Sequence, residues 1–376
     1  MVYRKIFHSK GFMGMLVCAI LFANPFPLQN FAYQYDCLPM AMSVFFASVT
    51  ACYSPKNRVI GVLLSSVLIF LSLLLYQASI VISGCLYLCV IYRRLSKNES
   101  IPEIIKDALC LLLSSFIAIA SYFLLFVASS SSILKRSEIA GFMRTRENLL
   151  FLHEKLHELY SGSGYLFLII AFSVLLSLVV IAMRRRFLHA LLFTVLFLLL
   201  AATSIMPSVI LDEGFVGPRV LMSIATLLLF SSLVITGRVA NITFIFAAGV
   251  LVLHSTVMSY AFSGDLRAQL KRYQTLSSLV INETQSKEGM KYEKVYIHCA
   301  SSISREENVF VRFNQFISWL NPEEAWAIRF FIRNSGEDRI VSDWGDCGEA
   351  DFSRGDKGNN YYSRYAKDNN LHFIMK

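Results

Sequence analysis

The stretch from Arg58 to Arg94, RVIGVLLSSVLIFLSLLLYQASIVISGCLYLCVIYRR, decides the fold. Two apolar runs, 59–75 and 78–92, flank a two-residue break at Tyr76 and Gln77, and no charge falls inside either run. Uncharged runs of this length fit a bilayer, where helices are the form that satisfies every backbone N–H and C=O within one segment. Further apolar segments recur at 11–23, 38–53, 108–129, 165–183, 187–206, 220–236 and 242–260, which makes nine expected crossings. Beyond residue 260 the pattern stops, and 32 of the last 116 residues are charged. With 376 residues, 55% of them hydrophobic and 16% charged, and a mean hydropathy of +0.54, the composition is that of a membrane protein. The expected architecture is an all-α polytopic membrane domain of about nine helices over 1–260, followed by a small α/β extracytoplasmic domain over 261–376.

The formal charge of +9 is explained by topology. With the N-terminus inside, the inner segments hold thirteen basic residues against three acidic ones, Glu99, Glu103 and Asp107. The outer loops hold six basic residues against seven acidic ones, and the tail holds sixteen of each. Basic residues accumulate on the cytoplasmic side of membrane proteins, so this split orients every segment and places the tail in the periplasm. No nucleic-acid footprint is needed to account for it. The basic start (Arg4, Lys5, Lys10) and the run 11–23 also fit a signal peptide, but Leu21, Phe22 and Ala23 make a poor cleavage site, which favours a retained helix.

The outer elements are then 24–37 (NPFPLQNFAYQYDC), the turn at Tyr76 and Gln77, 130–164, and 207–219 (PSVILDEGFVGPR). In the third, Leu149, Leu152, Leu156 and Leu159 recur at helical spacing with charges between them, so an amphipathic helix on the membrane plane is expected. Residues 153–157 (HEKLH) match the H-E-x-x-H zinc signature. A third ligand is missing nearby, and a solvated helix face is the preferred reading; no metal and no cofactor are expected. In the tail a helix is expected at 265–281, strands at 294–298, 339–342 and 371–375, and a helix at 322–333. A periplasmic setting permits a disulfide between Cys299 and Cys347 and leaves Cys37 over.

Ionisable residues at a membrane rim are candidates for function. Asp36 is the one ionisable residue of the first outer loop. Asp212 and Glu213 sit together in the fourth, with Arg219 close behind, and Lys135 and Arg136 open the third. A carboxylate to take a proton from a hydroxyl, with cations to hold a departing phosphate, is the minimum set for sugar transfer from a polyprenyl phosphate. Each residue taken singly fits a loop cap, a solvated turn or a lipid anchor equally well.

Residues 24–40 (NPFPLQNFAYQYDCLPM), 71–80 (LSLLLYQASI, with Tyr76 and Gln77) and 217–220 (GPRV) resemble the bacterial and phage type II glucosyl transferase family. These are membrane enzymes that modify lipopolysaccharide O-antigen and cause serotype conversion. The resemblance runs through the chain in order, tail included. It implies a C-type glycosyltransferase architecture in the bacterial inner membrane, with undecaprenyl-phosphate-glucose as donor and a lipid-linked or surface O-antigen glycan as acceptor on the periplasmic face. Asp36, or else Asp212 or Glu213, would serve as the carboxylate. Arg219 with Lys135 or Arg136 would hold the leaving phosphate, and Tyr76 and Gln77 would line the substrate side.

Family members begin with a further membrane helix and an acidic outer loop where the general base is expected. This chain is expected to lack that element, and Asp36 matches the acidic position of the second one. A truncated, non-catalytic member therefore stays open beside the active enzyme. A lipid-linked sugar transporter or flippase is the third possibility, although the spans carry no Lys, Arg, Asp or Glu and no internal repeat is visible.

Overall fold

The computed structural model describes residues 37–52, 57–127, 140–183, 187–211, 218–234, 238–286, 288–300, 340–341, 357–358, 362–367 and 370–375. The chain divides into two compact units, Met1–Ser259 and Tyr260–Lys376.

The first unit is helical. Its elements are α1 Cys37–Cys52, α2 Arg58–Leu75, α3 Ile80–Ser96, α4 Ile101–Tyr122, α5 Phe142–Met183, α6 Phe187–Ile210 and α7 Ala225–Ser232. Helix α8, Arg238–Thr284, contains the boundary between the units. Among the described residues five helical stretches are long and apolar enough to cross a membrane: Arg58–Leu75, Gln77–Ser96, Ile101–Phe126, Phe187–Ile210 and Ile242–Gly264. Three shorter apolar helices, Cys37–Ala51, Phe167–Met183 and Val220–Ser232, fall where further crossings were expected, and the segment 11–23 lies outside the described residues. The count of nine is thus not reached among the described residues. Val220–Ser232 differs most, because it begins as the 3-10 turn Pro218–Ile224 and every residue of α7 is buried. An element that short falls well below the ~20 residues that span a bilayer.

Local sequence explains the helix ends. Asn57 caps α2, its side-chain oxygen accepting from the N–H groups of Val59 (3.0 Å) and Ile60 (3.4 Å). Tyr76 ends α2 in an extended conformation, and the 3-10 turn Gln77–Ser79 starts α3 directly. Pro102 sits in the first turn of α4, where its missing N–H costs nothing. Helix α4 finishes in the π turn Phe123–Val127.

Packing relies on small residues. The buried face of α2 is Gly61, Ser65, Ser66, Ile69, Ser72 and Leu73, which lets neighbouring backbones approach closely. The Ser114 hydroxyl of α4 reaches the Val62 carbonyl of α2 at 3.2 Å, and Ser177 of α5 donates to the Ser231 carbonyl of α7 at 2.9 Å. A buried aromatic group, Tyr92, Phe193 and Phe230, packs α3, α6 and α7 together with centroid separations of 5.0 to 5.8 Å. Leucines and phenylalanines outside these seams face outward: Leu112, Phe116, Leu124 and Phe187 are all exposed, as lipid-facing positions should be.

The amphipathic stretch 149–159 is continuous with the following apolar segment, because α5 runs unbroken through 42 residues. Near its start, α5 meets the end of α6 through Asn148.

The second unit contains the remainder of α8 and a five-stranded sheet of order β2-β1-β5-β4-β3. The strands are β1 Lys294–Ala300, β2 Ile340–Val341, β3 Lys357–Gly358, β4 Tyr362–Lys367 and β5 Asn370–Met375. Strand β1 pairs parallel with β2 and β5, while β5–β4 and β4–β3 are antiparallel. Alternation puts Val295, Leu371 and Phe373 on one buried face. Arg364 of β4 pairs with Glu283 and with Glu288 (3.0 Å), tying the antiparallel half to the last turn of α8 and to the residues just after it. Strands β1, β2 and β5 match the expected positions, and β3 and β4 are additions. The expected helix at 322–333 and Cys347 lie outside the described residues, as does the side chain of Cys299. Cys37 is a free thiol.

Candidate functional site

The turn between α2 and α3 is where the described site residues meet. Tyr76 and Gln77 form it, and three buried serines hold it. Ser43 of α1 donates to the Ser72 carbonyl (2.7 Å), Ser72 donates back to the Ser43 carbonyl (3.0 Å), and Ser79 donates to the Tyr76 carbonyl (2.6 Å). The hydroxyl oxygens of Ser72 and Ser79 lie 2.7 Å apart, and Ser43 contacts Ser79 as well. All three are at most 1% exposed. Each hydroxyl proton has a carbonyl to bond, so the knot is satisfied without water. It fixes the turn to α1, the helix that begins one residue after Asp36.

On the other flank, exposed Gln77 donates through Nε2 to the Tyr122 hydroxyl at 2.5 Å. The Tyr122 ring stacks on Phe126 (5.9 Å, 27°), and Phe126 lies against Phe70 (6.3 Å). A carboxamide that both donates and accepts, set beside aromatic rings, can bond a sugar hydroxyl and pack its C–H face.

The 3-10 turn Pro218–Ile224, which carries Arg219, packs on the 77–79 turn and on α3 and α6. A third connection joins the start of α5 to the end of α6. Asn148 is buried, and its Nδ2 donates to the carbonyls of Val209 (3.2 Å) and Leu211 (2.7 Å), while the Ala140 N–H donates to the Ile210 carbonyl (2.8 Å). Described residues that follow the first outer loop, form the second, belong to the third and flank the fourth thus gather at one end of the helical unit.

Of the residues singled out in the sequence, Tyr76 and Gln77 are described in full, and Arg219 is placed by its backbone. Asp36, Asp212, Glu213, Lys135 and Arg136, and the Arg219 side chain, lie outside the described residues. His153, Glu154 and His157 are exposed on α5, and Lys155 lies over the Phe151 ring at 5.6 Å. Among the described residues no group of three His, Cys, Asp or Glu side chains is placed to hold a metal ion. Sequence reasoning missed Ser43, Ser72, Ser79, Tyr122 and Asn148. A serine in an apolar run reads as a small packing residue, and a lone asparagine in an amphipathic helix reads as part of its solvated face.

A family model described as "Glucosyl transferase GtrII" matches residues 1–236. An uncharacterized 55.3 kDa protein in the gtrB 5' region of Salmonella phage P22 is 30% identical over 106 residues, covering 28% of this chain and 22% of that protein. The match thus spans about a fifth of that relative's length. No solved structure matches.

Proposed function

The chain belongs to the glucosyl transferase GtrII family, and from that membership we propose that it moves glucose from undecaprenyl-phosphate-glucose to an O-antigen sugar on the periplasmic face of the bacterial inner membrane. The observation that carries the reading is the family match across most of the helical unit. The gathering at one end of the described residues that adjoin or belong to the sequence-assigned outer elements supports it, because donor, acceptor and catalytic groups must meet at one rim of the bilayer. In this reading the Arg58 and Arg94 end faces the cytoplasm and the Tyr76 turn faces the periplasm.

In the proposed step the acceptor hydroxyl attacks C1 of the glucosyl donor. Its proton passes to a carboxylate, Asp36 first and Asp212 or Glu213 next, while the bond from C1 to the phosphate oxygen breaks. Arg219, with Lys135 or Arg136, takes up the charge of the departing undecaprenyl phosphate. Attack opposite the leaving group inverts the anomeric centre. Gln77 and Tyr122 present an amide and a hydroxyl to the sugar, and the amphipathic part of α5 guides the lipid. The second unit contacts the glycan.

Lipopolysaccharide composition in matched strains with and without the gene tests this. The strain with the gene should carry glucose on its O-antigen and the strain without should lack it; identical composition in the two would overturn the assignment.

A further inference from the structure

We propose that Asn148 is a positioning residue for the transfer reaction: it fastens the amphipathic part of α5 across the end of α6 and so sets the third outer loop against the fourth. The proposal rests on the glucosyl-transfer reading above.

The last carbonyls of a helix have no donors within it and must find them elsewhere. Around the end of α6 those of Val209, Ile210 and Leu211 are consecutive, and all three are served from one segment, by the Asn148 carboxamide and the Ala140 N–H. One nitrogen with two hydrogens bonds two carbonyls, which an aspartate, a leucine or a serine cannot reproduce. The side chain is 5% exposed, so its amide is committed to this contact and not to solvent. The burial pattern supplies the second observation: on the same stretch of α5 Leu152 (1% exposed) faces inward with Asn148, while Phe142, Met143 and Leu150 are exposed.

The consequence is read along the chain. Lys135 and Arg136 precede this stretch of α5 by a few residues, and Asp212 and Glu213 follow directly on Leu211. The cations proposed to hold the phosphate and one pair of candidate carboxylates are therefore carried by segments that Asn148 ties together. Asn148 itself touches none of these groups, so its effect is on spacing. An ångström of misplacement in a transfer site lowers the rate far more than it lowers binding.

The test uses the full-length chain in membrane vesicles, with undecaprenyl-phosphate-glucose as donor, and compares Asn148→Leu, Asn148→Asp and Asn148→Gln. The first two should lower kcat about ten-fold or more and change the acceptor KM by less than about two-fold, with Asn148→Gln recovering most of the loss because it keeps both N–H donors. A second measurement needs no activity. Ala140→Cys with Ile210→Cys, oxidised in the membrane and read as a disulfide-linked peptide, should cross-link in the parent and lose yield when Asn148→Leu is added. An unchanged kcat in Asn148→Leu, or an unchanged cross-link yield, overturns the proposal. A parent chain that transfers no glucose defeats the reaction reading and the catalytic role with it, while the cross-link still decides whether Asn148 fastens the two segments.

Discussion

The two ends of the helical unit are held by opposite chemistry. At the end marked by Arg58 and Arg94, charges bind one another. Arg94 pairs with Glu99 and Asp107, both at 2.7 Å, Arg58 pairs with Glu103 and lies 3.8 Å from Asp107, and Lys106 pairs with Glu103 at 3.2 Å. At the end marked by the Tyr76 turn, the described framework includes the serine knot, the Gln77–Tyr122 bond and the Asn148 clasp, and the exposed Arg144–Glu147 pair (3.0 Å) lies on the surface of α5. The first arrangement consumes its charge in anchoring α2, α3 and α4 to one another. The second is knit by neutral hydroxyls and amides, the charges of α5 staying at its surface, and Gln77 and Tyr122 remain to meet sugar hydroxyls. The difference teaches that charge alone does not mark the candidate site in this protein; the ionic cluster is the structural end.

Substitutions can break that comparison. The largest expected effect is at the neutral end: Asp36→Asn and Arg219→Ala should each lower glucosyl transfer about 100-fold or more, the cost of removing a base or a phosphate-holding cation. Thermal unfolding in detergent should stay at the parent midpoint in both. Next comes Arg94→Met, which leaves the half-buried Asp107 with the longer Arg58 contact and should cost about 2 kcal/mol of stability. Transfer per folded molecule should be retained, and a selective loss of transfer instead would erase the distinction between the ends. Ser43→Val removes a hydroxyl that bridges α1 and α2 and should cost about 1–2 kcal/mol in the same unfolding assay. The smallest is Lys106→Gln, an exposed pair within one helix, for which no resolvable shift of the midpoint is expected at any salt concentration.

The long apolar helices were legible because uncharged runs in a bilayer have few alternatives, and the break at Tyr76 was written in the residues themselves. The short buried α7 was not legible as such. Its sequence, ATLLLFSS, is as apolar as a lipid-facing helix, and hydropathy does not distinguish burial in protein from burial in lipid. Strands β3 and β4 were missed because 357–367 is mostly polar, and pairing of β4 with β5 and of β3 with β4 decides their conformation. At the candidate site, Tyr76 and Gln77 were legible as a turn. The serine knot and Asn148 were not, since each acts through a partner 29 to 63 residues away that no local pattern reveals.

The account is tested most directly by incubating the purified chain in liposomes with a glycan acceptor and radiolabelled glucose supplied either as undecaprenyl-phosphate-glucose or as a nucleotide sugar. Label should enter the acceptor from the lipid-linked donor and not from the nucleotide sugar, and transfer should vanish with Arg219→Ala. Transfer from the nucleotide sugar alone, or none from the lipid-linked donor by a folded parent chain, would contradict it.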